Sequence, residues 1–161
     1  MTRLALVSDT HGINIDKVSE EIKVRDLDGL VFLGDVYKDG QDLKSKTGLD
    51  LIQVLGNNDF YVDGKAPWDY SFNLDGYRIF ASHGHKYGVS RGLGKIQEKA
   101  EEEGADIVLF GHTHVYTDTR INEVAYINPG SPSLARGLPY ERTFAILDLS
   151  KSINLEKIII K

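Results

Sequence analysis

Leu4-Ala5-Leu6-Val7-Ser8-Asp9-Thr10-His11 is an apolar run that ends on hydroxyls, a carboxylate and an imidazole. An apolar stretch this short suits a strand buried on both faces, and its polar tail marks the strand's carboxyl end. The pattern recurs along the chain. Residues 30–33 lead into Gly34-Asp35, and residues 51–55 into Gly56-Asn57-Asn58-Asp59. Residues 79–81 lead into Ser82-His83-Gly84-His85, and residues 107–110 into Gly111-His112-Thr113-His114. Helical patterns lie between several of these runs. Residues 15–25 put Ile15, Val18 and Ile22 on one face, and residues 90–103 carry Leu93, Ile96 and Ala100 up to a stop at Gly104. Strands alternating with helices predict βαβ units and a largely parallel sheet.

The last third reads differently. Residues 118–121 and 124–127 flank Asn122-Glu123 as a hairpin, and residues 143–149 and 155–160 add two more strands. Asp75-Gly76 joins a further hairpin, residues 70–74 with 77–82. One parallel sheet does not take so many strands comfortably. The expectation is an α/β fold of two packed sheets with helices outside, in a single domain over residues 1–161. Residues 128–140, with Pro129, Pro132 and Pro139, read as an ordered surface loop.

Composition narrows the chemistry. With 41% hydrophobic and 27% charged residues in 161, the chain can bury a core. It has no cysteine, which excludes disulfides, thiolate zinc sites, iron–sulfur clusters and a cysteine nucleophile. The opening apolar run is too short for a signal-peptide core, and no run nears the ~18 residues of a membrane span. The expected compartment is the cytoplasm, with no membrane partner. A formal charge of -5 counts against nucleic acid as a partner.

Asp9, Asp35, Asn57, His83 and His112, which lead the five polar segments, lie about 22 to 29 residues apart, close to the roughly 30 residues of one strand–crossover–strand step. Each segment therefore falls at the carboxyl end of a successive strand, the rim where α/β sheets bind ligands. All five histidines, His11, His83, His85, His112 and His114, lie in these segments. The pairs His83/His85 and His112/His114 are spaced i, i+2, which in a strand points both rings to one side. Carboxylates, imidazoles and a carboxamide suit manganese, iron, cobalt, nickel or zinc better than calcium. Asp9, His11, Asp35, Asn57, His83, His112 and His114 outnumber the ligands of one tetrahedral zinc, which points to two metals. Paired cations serve in-line displacement at phosphorus, and a carboxylate such as Asp35 suits a bridge between them.

The ordered set Asp9-x-His11, Gly34-Asp35, Gly56-Asn57-x-Asp59, His83-Gly84 and Gly111-His112-x-His114 resembles the calcineurin-like metallophosphoesterase superfamily. The resemblance continues into Ile127-Asn128-Pro129-Gly130-Ser131, similar to the small single-domain branch of YfcE/MJ0936-like phosphodiesterases, to which Vps29 is related. It implies a four-layer αββα sandwich. It also implies one metal on Asp9, His11, Asp35 and His114, and a second on Asp35, Asn57, His83 and His112, with Asp35 bridging. A hydroxide between the metals would be the nucleophile, and Asp59 would orient a neighbouring ligand rather than touch metal. The cofactors implied are two divalent ions, manganese first, with nickel, iron, cobalt, zinc or magnesium as alternatives.

The sequence departs from that superfamily at Asn58, where the wider pattern has a histidine that steadies the phosphoryl oxygens or the leaving group. An amide donates a hydrogen bond but delivers no proton at neutral pH. His85 is the candidate to replace that histidine, with Asn58 itself as a lesser catalytic candidate. Without a strong acid, leaving groups that depart easily are favoured. Trp68, Tyr61 and Tyr70 read first as hairpin packing, with an aromatic patch for a base or a partner chain as the alternative.

The reading is thus a dinuclear phosphoesterase, foremost a phosphodiesterase, acting on a small phosphate ester. A Vps29-like interaction module that retains the metal pocket is the alternative, a nuclease ranks below both, and a homodimer or larger homo-oligomer is allowed.

Overall fold

Strands β1 (Arg3–Val7) and β2 (Gly29–Phe32) pair in parallel, Leu4 opposite Gly29 and Val7 opposite Phe32. In the computed structural model, which describes residues 2–161, they form the middle of a five-stranded sheet with β3 (Leu51–Gln53), β9 (Thr143–Asp148) and β10 (Asn154–Ile159). Its order is β10-β9-β1-β2-β3, the last three strands parallel and β9 antiparallel to β1. The second sheet runs β4 (Asp69–Leu74), β5 (Tyr77–Ser82), β6 (Ile107–Leu109), β8 (Val124–Pro129), β7 (Tyr116–Ile121) in space. Its three inner strands are parallel and its two edges are hairpin partners, turning at Asp75-Gly76 and Asn122-Glu123.

The two-residue period of the strands divides the core into three apolar layers. Leu4 and Leu6 of β1 join Val31, Leu33, Ile79, Ile107, Leu109 and Ile127 between the sheets. Ala5 and Val7 point the other way, onto Val18 and Ile22 of helix α1 (Ile15–Lys23) and Leu43 of α2 (Tyr37–Thr47). Beyond the second sheet, Phe80, Val108 and Tyr126 meet Ile96 and Ala100 of α3 (Gly94–Glu103). The order is helices, sheet, sheet, helix: the four-layer sandwich. No helix of the described residues is long and apolar enough to cross a membrane.

Three local expectations change. Helix α2 was not anticipated, because Leu43 is its one buried apolar side chain and Gly40 interrupts it. Helix α3 begins at Gly94 rather than residue 90, since Gly88 and Gly92 hold positive φ just before it. Strand β8 continues through Pro129, so residues 128 and 129 belong to the sheet and not to the following loop.

Candidate metal centre

The polar segments leave the strand ends through left-handed turns. Asp9 (φ 58°), His11 (φ 49°), Asp35 (φ 56°), His112 (φ 70°) and His114 (φ 60°) all hold the conformation that L-residues avoid. Each such residue costs about 1–3 kcal/mol, and such strain persists where surrounding contacts over-determine it. The histidine pairs therefore do not reach the site as strand neighbours, which corrects the i, i+2 argument. His112 and His114 lie in a turn and separate, His112 Nδ1 meeting Asn57 and His114 Nε2 meeting Asp9. His85 opens a 3-10 turn (His85–Tyr87) beyond the strand that delivers His83.

All seven candidate ligands come together. Asp9 Oδ1 lies 3.3 Å from His114 Nε2 and 3.6 Å from His83 Nε2. Asp35 Oδ2 lies 3.5 Å from His83 Nε2 and 3.8 Å from His11 Nε2. Asn57 Oδ1 is 3.1 Å from both His83 Nε2 and His112 Nδ1. Asp9 and His83 are fully buried, and His114 and Asp35 nearly so.

Hydrogen bonds on the far side of the rings fix what faces inward. His83 Nδ1 donates to the Leu33 carbonyl at 2.6 Å, and His114 Nδ1 donates to the Leu134 carbonyl at 2.7 Å. A neutral ring that has its proton on Nδ1 turns the Nε2 lone pair toward the carboxylates. Lone pairs then face lone pairs in a buried site, and only a cation or a bound proton resolves that. Asp9 Oδ1 and His11 Nε2 are buried with no hydrogen-bond partner, the condition a missing positive centre leaves behind. Two sets, Asp9/His11/His114 and Asp9/Asp35/His83, each bring donor atoms within 4.8 Å of one another, close enough to hold an ion. The donor set fits divalent metal.

Proton affinities agree in direction. Burial works to raise the Asp35 and Asp9 carboxyls, yet the hydrogen bonds and charges of His83 and His114, with the Asn58 amides on Asp35, hold both below the usual carboxylate range. Burial pushes His83 down, but Asp35 and Asp9 outweigh it and raise the ring. His85 and His112 go the other way, lowered by burial and by His83.

A second set of contacts holds the loops. Asp59 is fully buried and accepts three backbone N–H groups, from Asp35 (3.0 Å), Gly56 (2.8 Å) and Tyr37 (2.7 Å). Asn58 spans Asp35, its backbone N–H on Oδ1 at 3.0 Å and its side-chain Nδ2 on Oδ2 at 2.9 Å. Gly56 presses on the same carboxylate so closely that a Cβ there would collide with it. Sequence reasoning missed several supports. Asp39 of α2 accepts from Thr10 Oγ1 (2.5 Å) and Gly12 N (2.7 Å), fixing the turn that carries His11. Ser131 Oγ donates to the Asp9 carbonyl at 2.8 Å, and Asn128 Nδ2 donates to the Gly111 carbonyl at 3.0 Å. The Asn128-Pro129-Gly130-Ser131 run was the available signal for these two; Asp39 had none, since its helix was not seen.

The sequence and the fold have counterparts. The sequence profile of the calcineurin-like phosphoesterase superfamily domain matches residues 2–152. The probable metallophosphoesterase YsnB of Bacillus subtilis is 30% identical over 148 residues, covering 89% of this chain and 82% of that protein. Phosphodiesterase YfcE of Escherichia coli K12 is 28% identical over 160 residues, covering 85% and 83%. The crystal structure of wild-type Vps29 with zinc from Entamoeba histolytica superposes with a TM-score of 0.76 at 16% identity, covering 99% of both chains. Vps29 shares the fold, and the profile and the bacterial relatives go further. By the extent of that match, the chain belongs to the calcineurin-like phosphoesterase superfamily.

Proposed function

We propose that this chain is a cytoplasmic, single-domain, dinuclear metal-dependent phosphodiesterase. Asp9, His11, Asp35 and His114 hold one ion, and Asp35, Asn57, His83 and His112 the other. The observation that carries the reading is the pair of buried, unpartnered atoms Asp9 Oδ1 and His11 Nε2, with His114 Nε2 and His83 Nε2 at 3.3 and 3.6 Å from Asp9 Oδ1, a cluster that positive charge would stabilise. Bound divalent ions supply Lewis acidity to the phosphoryl oxygens and lower the pKa of the attacking water. Carboxylate, imidazole and amide donors suit manganese, iron, cobalt, nickel or zinc, and the family resemblance puts manganese first. The YfcE relative, named a phosphodiesterase, supports the diester preference.

The residues divide the remaining work. His83 and His114 present Nε2 because carbonyls hold their Nδ1 protons. Asn58 uses its amide on Asp35 and so acts as a holder of that carboxylate, not as a donor to the leaving group. That duty falls to His85, whose Nδ1 is buried without a partner and whose ring lies 5.5 Å from His83 and 6.2 Å from His112.

Metal-stripped protein is expected to be inert on bis-p-nitrophenyl phosphate, and to recover turnover when manganese, nickel, magnesium or zinc is returned, manganese giving the highest rate. Failure with every metal, together with tight binding to a partner protein, would favour the second reading, an interaction module of the Vps29 kind that the shared fold permits. A separate variant addresses His85. His85→Ala should lower turnover by about 10²-fold, with two metals per chain still measured by elemental analysis. The loss should deepen as the leaving group becomes more basic. A uniform loss across leaving groups would remove His85 from that role.

A further inference from the structure

Five of the chain's six phenylalanines are hidden: Phe32, Phe80, Phe110 and Phe144 are fully buried, and Phe72 packs against the inner core. Phe60 is the exception, 74% exposed, and the adjacent Tyr61 is 63% exposed. Their rings meet edge to face at 6.0 Å. They stand on a 3-10 turn (Phe60–Val62) that follows Asn58 and Asp59 directly, and the Val62 N–H closes the turn on the Asp59 carbonyl at 3.0 Å. Two aromatic rings are thus presented to water directly after Asn58 and Asp59, and Asn58 holds the carboxylate that the two metals would share.

Trp68 lies further along the same segment and is tied back to it. Its indole N–H donates to Asp63 at 2.9 Å, which fixes the ring, and its centroid lies 5.9 Å from that of His85. Hairpin packing does not account for it. Tyr70 does pack in the hairpin, stacked on Phe72 at 5.6 Å and 24°. Trp68 instead turns toward the histidines.

We propose that Phe60, Tyr61 and Trp68 form a subsite for a nucleobase carried on the phosphodiester, so that the substrate is a small nucleotide ester. The inference rests on the phosphodiesterase reading above and names the class of ester. Aromatic faces beside a phosphate site take bases by stacking, and every base offers a π-face. The charge of the segment limits the ligand's length. Between residues 58 and 70 the one cation is Lys65, Asp63 holds the Trp68 indole and Asp69 is paired with Lys86, so the segment offers no basic track for a polyanion. One nucleotide fits where a strand does not.

The test uses two p-nitrophenyl diesters with the same leaving group: thymidine 5′-(p-nitrophenyl phosphate) and methyl p-nitrophenyl phosphate. The manganese-loaded wild type should prefer the thymidine ester by about tenfold in kcat/KM, and the Phe60→Ala/Tyr61→Ala double variant should bring the ratio near one. Trp68 is the only tryptophan, so its emission gives a binding readout without turnover. Adenosine 5′-monophosphate should quench it at concentrations about tenfold below those needed for ribose 5-phosphate. Equal responses to the two phosphates, or a preference that survives the double variant, would overturn the subsite. A double variant that changes the oligomeric mass by light scattering but keeps the preference would also overturn it, assigning the rings to contact with a second copy. No turnover of either ester with any metal would sink the phosphodiesterase reading instead, while the emission comparison still decides the subsite.

Discussion

Asp35→Asn is expected to reduce turnover of bis-p-nitrophenyl phosphate by about 10³-fold or more, the kinetic equivalent of several kcal/mol of transition-state stabilisation. The substitution is nearly isosteric, so what it changes is charge and hydrogen-bond polarity. Asp35 Oδ2 faces His83 Nε2 at 3.5 Å and His11 Nε2 at 3.8 Å, the position from which one carboxylate reaches both proposed metals. An amide removes a negative charge from both. It also sets two donors against each other. Asn58 gives an N–H to each oxygen of Asp35, so whichever way an asparagine amide is turned, its NH₂ meets a donor. Elemental analysis should show fewer than two metals per chain. A variant that keeps both its metals and its rate would refute the bridge. Circular dichroism separates this outcome from unfolding, since the residue lies in a loop beyond β2 and outside every strand.

Which parts of this could be read from the sequence follows from where the interactions are made. The candidate ligands were legible because each sits at the end of an apolar run, and the run and its polar tail are adjacent in the chain. Leu4 to Val7 announce Asp9, and residues 107–110 announce His112. The surplus of strands in the last third likewise anticipated a second sheet, and the hairpins at Asp75-Gly76 and Asn122-Glu123 form where the turn residues put them. Helix α2 left no such trace. It buries Leu43 and little else, its Gly40 lies so close to Gln53 that a side chain would clash, and it serves the site through polar groups, the Asp39 carboxylate and the Tyr37 N–H on Asp59. A helix held by polar contacts has no apolar period to find. The left-handed turns escaped for a related reason. Asp and His at positive φ are chosen by contacts with residues distant in sequence, such as Ser131 on the Asp9 carbonyl and Leu134 on His114. Trp68 is a milder case: it stands just before β4 at the open end of the hairpin where Asp69 pairs with Ser82, and the turn after β5 brings His85 to it.

Asp59 shows how tightly fold and site are joined, and its replacement carries the largest expected loss of stability. The carboxylate is fully buried and accepts N–H groups from three places: Asp35, Tyr37 and Gly56. It therefore ties the loop after β2 to the loop after β3, and it does so at the residue whose side chain is the proposed bridge. Asp59→Ala leaves two buried donors and one part-buried donor without an acceptor. Each costs about 1–3 kcal/mol, so a loss of at least ~3 kcal/mol is expected, or about 10 °C in Tm for a chain of this size. Asp59→Asn should fall between. Its one oxygen can keep the Asp35 and Gly56 donors, both now on Oδ2, but its NH₂ then meets the Tyr37 N–H. The order wild type, Asn, Ala in Tm distinguishes hydrogen-bond loss from loss of charge, which would make the two variants equal. Metal affinity adds a readout that plain destabilisation would not move in the folded fraction. With the Asp35 backbone released, manganese should bind about 10- to 100-fold more weakly, measured by titration well below the variant's Tm. An Asp59→Ala protein that melts with the wild type would show that water satisfies those three donors, and that the two loops are held by something other than this carboxylate.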